Sequence, residues 1–495
     1  MKKKESVFLI SALIAVFVII YGAISGAGLN NLSDILLNFL NNNFSWFYLL
    51  ALPCILVFLI YLACSKYGKI KLGDADEKPE HSFLSWFAML FCAGTGIGLV
   101  FWSIAEPLTH YTNPPYGIVA GTEEAANFSI RTCFLHWGFL PWACFALVGL
   151  AIAYFQFNRK KNGLMSNILI PVFGEQKING PIGKTIDVFS IIVSVAGVAT
   201  SLGLGCMQIC GGTEFLFDIP NNKITWLLVI IIITSIFLTS SISGVNKGIK
   251  LLSNINSWLA IALLILGLVI GPTNTILNTL VNGLGEHISN FISDSLSINP
   301  WGDNSWVMNW RVFYWAWWIA WAPFVGMFIA RISRGRTVRE FVVAVMLIPS
   351  LLTFIWYSVF GTMALSAAGN WSLSELANIA SAPETAVFKI FDLYPLGKVL
   401  SILVVLLLAI FFITSADSAT FSLSMLSSNG DLNPPAYKKT IWAVIEAAMA
   451  YILLLSGGIK PLQTISIVAA LPFLAIMILM CFSLIKAFRE DKKNV

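Results

Sequence analysis

The sequence predicts an all-α polytopic membrane protein with twelve transmembrane helices, and composition, hydropathy and charge distribution each support this class. Of its 495 residues, 57% are apolar and only 11% are charged, whereas soluble domains carry about 45–50% apolar and about 25% charged residues. The mean hydropathy is +0.81. These values exclude a cytosolic enzyme, a secreted disulfide scaffold and a disordered protein. Because one span needs about 20 apolar residues, the length allows roughly a dozen spans and no large soluble domain.

Twelve apolar segments follow one another along the chain. They cover 7–27, 45–64, 83–105, 132–157, 186–211, 224–241, 252–271, 312–332, 341–366, 395–421, 440–456 and 462–487. Between the seventh and eighth, apolar residues alternate with polar ones at helical spacing over 275–296, which predicts an amphipathic helix on the membrane surface. The predicted organisation is two peripheral N-terminal spans (1–82), spans 3–7 (83–271), the surface helix with its loop (272–305), spans 8–12 (306–487) and a short cytoplasmic tail (488–495).

The basic residues support this arrangement. With the N-terminus inside, 24 of the 30 Lys and Arg fall in the inner segments, as expected from the positive-inside rule. The sequence therefore predicts a multi-pass protein of the cell membrane with both termini in the cytoplasm. The net charge of +5 reflects this topology and indicates no nucleic-acid partner.

The third span has three glycines, Gly94, Gly96 and Gly98, in its middle. One interpretation is close helix packing through small residues. The other is a broken helix, because each glycine costs a helix about 1 kcal/mol and unwound backbone at membrane depth is tolerated where it lines a cavity. Pro107 is expected to end this span at the outer surface, where Glu106 would reach water.

Aromatic residues are concentrated in the eighth span. Trp317, Trp321 and Phe324 share one helical face, with Trp318 beside them. Such a stripe is often ordinary packing. Grouped aromatic faces can also hold a quaternary ammonium ion, at about 0.5–2 kcal/mol per ring, and the density of aromatic residues favours this interpretation.

The tenth span carries Thr414, Ser415 and the intramembrane Asp417. Hydroxyl groups in membrane helices commonly bond back to their own backbone, but an acidic residue in the same segment marks a functional region. Oxygen ligands of this kind suit a hard cation such as sodium. The acidic residues Glu106, Asp417 and Glu446 are too scattered to suggest a catalytic pair, so the protein is not expected to be an enzyme and needs no cofactor other than a coupling ion.

These segments resemble the betaine/choline/carnitine transporter (BCCT) family, and the resemblance extends over the whole chain. Its motifs are the glycine-rich stretch 94–99 with 105–107, the tryptophan-rich stretch 315–326 followed by 330–336, and the tenth-span stretch 414–418. The resemblance implies a secondary transporter with a LeuT-like core, in which spans 3–7 and 8–12 form two inverted five-helix repeats around a substrate at mid-membrane. It also implies a homotrimer with the surface helix at the interface.

The resemblance further implies particular site residues. Those expected at the substrate are Trp317, Trp318 and Trp321 as an aromatic box, Gly94, Gly96 and Gly98 opposite it, and Trp137, Trp142 and Phe145 along the neighbouring route. One sodium site is expected at Cys92, Thr95, Phe411, Thr414 and Ser415, and a second, weaker one at Ser194 and Phe324. The second is weaker because Val198 stands where a hydroxyl is expected.

The first sodium site implied by the resemblance is intact, which favours sodium coupling, and a departure from the family pattern at Gly98 favours a glycine betaine carrier. Gly98 stands where choline carriers of the family tend to have an aspartate, and a betaine brings its own carboxylate. The alternatives within this fold are a choline or carnitine carrier, or a sodium-independent exchanger of substrate for product. An alternative from another class is a channel or osmotic sensor without concentrative transport.

Overall fold

A computed structural model describes residues 3–94, 96–243 and 246–493. Within these ranges the regular structure is helical, apart from one isolated antiparallel bridge between Lys71 and Thr337. The helices of the first half are α1 (Lys3–Ile24), α2 (Gly26–Cys64), α3 (Phe83–Gly94), α4 (Ile97–Thr112), α5 (Glu123–Trp137), α6 (Phe139–Ala153), α7 (Met165–Ile168), α8 (Ile170–Phe173), α9 (Glu175–Ile178) and α10 (Pro181–Phe217). Those of the second half are α11 (Lys223–Ser243), α12 (Asn246–Ile270), α13 (Thr273–Leu296), α14 (Phe313–Ile332), α15 (Val338–Ser366), α16 (Leu373–Ala380), α17 (Pro383–Phe391), α18 (Gly397–Leu426), α19 (Ala436–Gly457) and α20 (Ile459–Lys493).

The predicted polytopic helical class is confirmed. Eleven helical segments within the described ranges are long and apolar enough to cross a membrane, with α5 and α6 forming a single one. The third predicted span is not among them, because it is divided into α3 and α4, of 12 and 16 residues. The count of twelve requires these two helices to cross together and stays a prediction, as do the inverted repeats and the domain boundaries.

The helix break in the third span agrees with the second interpretation of its glycines. α3 ends at Gly94, and α4 begins after Gly96, whose backbone is extended with φ −162°. Thr95 lies outside the described residues, as do the side chains of 91–94. α4 then runs through Pro107 to Thr112. The expectation that Pro107 ends the helix is therefore wrong.

The most deeply buried helices lie at the centre and position the site. α14 packs against α6, α10 and α20, and α4 packs against α5, α10 and α15. By contrast, α1, α11 and α12 are mostly exposed although they are strongly apolar, as expected for helices that face lipid. The predicted amphipathic helix is present as α13, which packs against α5 and α15. Arg131 of α5 holds it through Glu286 and Asp294, each at 3.2 Å.

Candidate functional site

An aromatic cavity lies where α4, α5, α6, α14 and α15 meet. Its volume is about 30 Å³, and it is lined by Gly96, Gly98, Leu99, Trp137, Trp142, Phe145, Trp317, Trp318, Trp321 and Thr353. The structure thus brings together eight of the nine residues predicted at the substrate; the ninth, Gly94, ends α3. Leu99 and Thr353 were not predicted. A volume near that of two water molecules means that the rings must separate to admit a larger guest.

Trp318 is at the centre of the ring arrangement. The Trp137 ring meets it edge-on, with centroids 4.9 Å apart and planes at 78°. Phe145 meets it edge-on at 6.0 Å, and Trp317 stacks on it at 5.4 Å and 18°. Such an arrangement presents both ring faces and ring edges to the cavity, and ring faces attract cations.

Each of the three box indoles is held by its N–H group. Trp317 Nε1 donates to Ser201 Oγ at 3.3 Å, Trp318 Nε1 to the His136 carbonyl at 2.8 Å, and Trp321 Nε1 to the Gly197 carbonyl at 3.1 Å. A buried indole N–H is stabilised by such a partner. These bonds fix the rings so that their apolar parts line the cavity.

Gly98 is required by the position of Trp317. A Cβ on Gly98 would overlap Trp317 Cη2 and lie 3.1 Å from Cζ2 and Cζ3 of the same ring. At Gly96 a Cβ would meet no atom of the described residues within 4 Å. Side chains larger than hydrogen are therefore excluded at residue 98, unless the Trp317 ring moves.

A second cavity, of about 150 Å³, lies on the other side of Trp321, which lines both. Its lining comes from α12, α14 and α18 and consists of Ser253, Asn256, Ser257, Trp321, Phe324, Val325, Phe328, Phe411, Thr414, Ser415 and Ser418. Of the residues predicted at the sodium sites, it brings together Phe411, Thr414, Ser415 and Phe324. The sequence did not point to Ser253, Asn256 and Ser257, because the polar residues of the seventh span look like isolated substitutions.

The side-chain atoms of this second cavity that could bind a cation are oxygen atoms. Thr414 Oγ1 donates to the Ile410 carbonyl at 2.9 Å, so its lone pairs stay available to a cation. Asn256 is almost fully buried, and its Oδ1 has no hydrogen-bond partner among the described residues. Hard cations prefer such neutral and anionic oxygen ligands. The residues present therefore fit a sodium ion.

Of the remaining predicted sodium ligands, Ser194 is not among the residues that line this cavity. Ser194 donates within its own helix, to the Ser190 carbonyl at 2.9 Å, and lines neither cavity. Phe324, the other residue predicted at the second sodium site, does line the cavity and packs on Trp321 with centroids 4.9 Å apart. Thr95 and the side chain of Cys92 lie outside the described residues.

Glu106 differs most from expectation, since it does not reach water but is fully buried. His136 Nδ1 lies 2.7 Å from its Oε1, and Trp137 Nε1 and Tyr314 Oη donate to Oε2 at 2.8 and 2.5 Å. These partners replace the water that the carboxylate loses on burial. The histidines look unrelated in the sequence, yet Glu106, His110 and His136 present ligand atoms within 4.8 Å of one another.

The eleven described helical segments that are long and apolar enough to cross a membrane make this a polytopic membrane protein. Residues 6–493 match the family described as BCCT, betaine/carnitine/choline family transporter, and the chain belongs to this family. It is 46% identical to the glycine betaine transporter OpuD of Bacillus subtilis, over 100% of this chain and 96% of the relative. It is 42% identical to the ectoine/hydroxyectoine transporter of Virgibacillus pantothenticus, over 99% and 97% of the two chains. With the glycine betaine transporter of Acinetobacter baylyi it shares 41% identity, over 94% and 70%.

Proposed function

We propose that this protein imports a quaternary ammonium compound, with glycine betaine as its preferred substrate, by sodium symport with alternating access. The observation that carries the proposal is the aromatic cavity around Trp318, with Trp137 and Phe145 against it. The faces of such rings attract a trimethylammonium group, at about 0.5–2 kcal/mol each. Two of the similar proteins named above are glycine betaine transporters.

A zwitterionic substrate is favoured over choline. No acidic side chain is among the described residues that line the aromatic cavity, and Trp317 leaves no space for one at Gly98. A cation without its own carboxylate would contact no acidic side chain of the described lining, and a buried charge without a contacting partner is costly. Ectoine is a zwitterion as well, and the similarity to an ectoine/hydroxyectoine transporter makes it the first competitor to test.

Sodium coupling is supported by the oxygen-lined second cavity. The hydroxyl groups of Thr414 and Ser415 and the amide of Asn256 line it, and Trp321 separates it from the aromatic cavity. A cation bound at Thr414 and Ser415 would order α18 beside α14. That order would favour the arrangement of α14 that binds substrate, because an ion shifts a conformational equilibrium through its differential affinity for the two states.

The deciding experiment is uptake of labelled glycine betaine into proteoliposomes, with an inward sodium gradient or with potassium in place of sodium. We expect accumulation above equilibrium with sodium only, and competition by ectoine weaker than by unlabelled glycine betaine. Accumulation driven without sodium by internal betaine, carnitine or choline would make the protein an exchanger. Uptake that never exceeds equilibrium would make it a channel or sensor.

A further inference from the structure

A buried polar cluster lies directly beside the aromatic cavity. Glu106 and His110 are one turn apart on α4, and His136 is at the end of α5; all three side chains are fully buried. Such burial of a carboxylate is costly, unless the charge is paired and its lone pairs are satisfied. Several side chains of the fold are therefore needed as hydrogen-bond partners that hold Glu106 at this place.

The two oxygens of Glu106 have different partners. Oε2 accepts from Trp137 Nε1 at 2.8 Å, from Tyr314 Oη at 2.5 Å and from Tyr357 Oη at 3.3 Å. Oε1 faces His136 Nδ1 at 2.7 Å, with His110 Nε2 at 3.5 Å. Because an indole N–H can only donate, Oε2 is an acceptor, and a proton on His136 Nδ1 lets the imidazole donate to Oε1.

A metal ion fits this cluster less well than a proton does. Zinc bonds of about 2.0–2.2 Å in a tetrahedral site place neighbouring ligand atoms roughly 3.3 Å apart. The Glu106 Oε1 to His136 Nδ1 distance is 2.7 Å, the length of a charge-assisted hydrogen bond. Glu106 and His136 are therefore hydrogen-bonded to each other and stand too close together to bind one zinc ion as neighbouring ligands.

The pair reaches the centre of the aromatic cavity by three routes. Trp137, held by Glu106 through its N–H, sets its ring edge against Trp318 at 4.9 Å. Tyr314, held by the same carboxylate, stacks on Trp318 at 6.3 Å and 21°. The backbone carbonyl of His136 accepts from Trp318 Nε1 at 2.8 Å.

We propose that Glu106, paired with His136, is a positioning residue that fixes Trp137 and Tyr314 and thereby sets the Trp318 ring for its ligand. Glu106 does not line the aromatic cavity and acts through the rings that it holds. The effect on affinity rests on the proposed function, whereas the effect on the rings does not.

The test combines a ring signal without ligand and a binding constant. Full-length protein carrying 5-fluorotryptophan is studied by ¹⁹F NMR in detergent, with the Trp137 and Trp318 resonances assigned by Trp137→Phe and Trp318→Phe. We expect Glu106→Gln to shift both resonances, since an amide cannot satisfy His136 on one side and three donors on the other. The same variant should raise the Kd of glycine betaine at least about 10-fold.

The matched control is Glu446→Gln. Glu446 is equally buried, with Thr420 Oγ1 donating to it at 2.6 Å, and it lies on α19 away from the aromatic cavity. This variant should leave both resonances and the Kd unchanged. Shifts of the same size in Glu446→Gln would overturn the proposal.

Tyr314→Phe keeps the test decisive if Glu106→Gln does not fold. It removes one donor to Glu106 while keeping the ring, so smaller shifts of the same two resonances are expected. Unchanged resonances in every variant that folds would refute the positioning role. If the wild-type protein binds no quaternary ammonium compound, the proposed function fails, while the resonances without ligand still decide the role of Glu106.

Discussion

Replacement of Gly98 by alanine tests the geometry of the aromatic cavity most directly. The new Cβ would overlap the Trp317 ring, and this ring can move only by disturbing the rings packed on both of its faces. It is 1% exposed and stacks between Phe313 and Trp318, with both centroid distances at 5.4 Å and both interplanar angles at 18°. Overpacking of a closed site costs about 1–3 kcal/mol. Displacement of Trp317 changes the rings that hold the ligand, so the Kd of glycine betaine should rise about 5- to 150-fold.

The assay is calorimetric titration of glycine betaine into purified Gly98→Ala protein, together with its thermal unfolding. Gly96→Ala should keep the wild-type unfolding temperature, since its Cβ meets nothing within 4 Å in the described part of the chain, whereas Gly98→Ala should lower it. Gly285 lies on the exposed face of α13, and a Cβ there would also meet no described atom within 4 Å. Gly285→Ala should therefore leave the Kd unchanged. Wild-type affinity and stability in Gly98→Ala would refute the packing of Trp317 on residue 98.

Three further perturbations follow from the described contacts. Trp318→Ala and Trp321→Ala should each raise the half-saturating glycine betaine concentration for uptake about 10-fold or more, because each removes a ring of the cavity. Thr414→Ala combined with Ser415→Ala should raise the sodium concentration that gives half-maximal uptake. Acidification from pH 7 to 5 should destabilise the packing of α13 by about 2 kcal/mol, and His287→Phe should remove this dependence, as followed by thermal unfolding.

The loss of stability on acidification follows from the burial of His287. His287 of α13 is buried among phenylalanines, with Phe291 and Phe354 ring centroids each 5.3 Å away, and burial lowers its pKa to about 4. An exposed histidine has a pKa of about 6.5. The neutral form is the one that fits the fold, so stability is lost as the pH falls from about 6.5 towards 4. A pH dependence that persists in His287→Phe would contradict this origin.

The chain also offers control residues for the tryptophan variants and for the double variant of Thr414 and Ser415. Trp301 is 94% exposed, and Trp301→Ala should leave uptake unchanged. Ser424 is a buried hydroxyl of α18 that donates to the Thr420 carbonyl at 2.7 Å and lines neither cavity; Ser424→Ala should leave the sodium curve unchanged. Normal uptake kinetics in both tryptophan variants, or an unaltered sodium curve in the double variant, would refute the respective site.

Much of the candidate site could be predicted from the sequence because its parts are local. Trp317, Trp318 and Trp321 lie within five residues on one helix, and the helical period alone places them near one another. The glycines of the third span signalled a helix break in the same local way. The sequence did not reveal that residues 26–44 continue α2, because polar asparagines interrupt the apolar pattern there, although Leu29 and Leu40 are buried.

Other features depended on contacts between residues far apart in the chain. Glu106 looked like the polar end of a span next to a proline. Its partners follow 30 residues later at His136 and 208 residues later at Tyr314, and no local pattern connects them. A carboxylate is solvated by water or by whichever donors the fold brings to it, and residue order alone does not distinguish the two.

The sequence by itself determined the membrane class, most of the spans and the aromatic and hydroxyl residues of the site, since hydropathy and helical period act over a single segment. Only the tertiary structure decided that Trp321 separates two cavities, that Trp317 covers Gly98, and that Glu106 is buried beneath the aromatic rings. These features arise from packing between helices, where close contact and the loss of water decide which side chains fit and which charges must be paired.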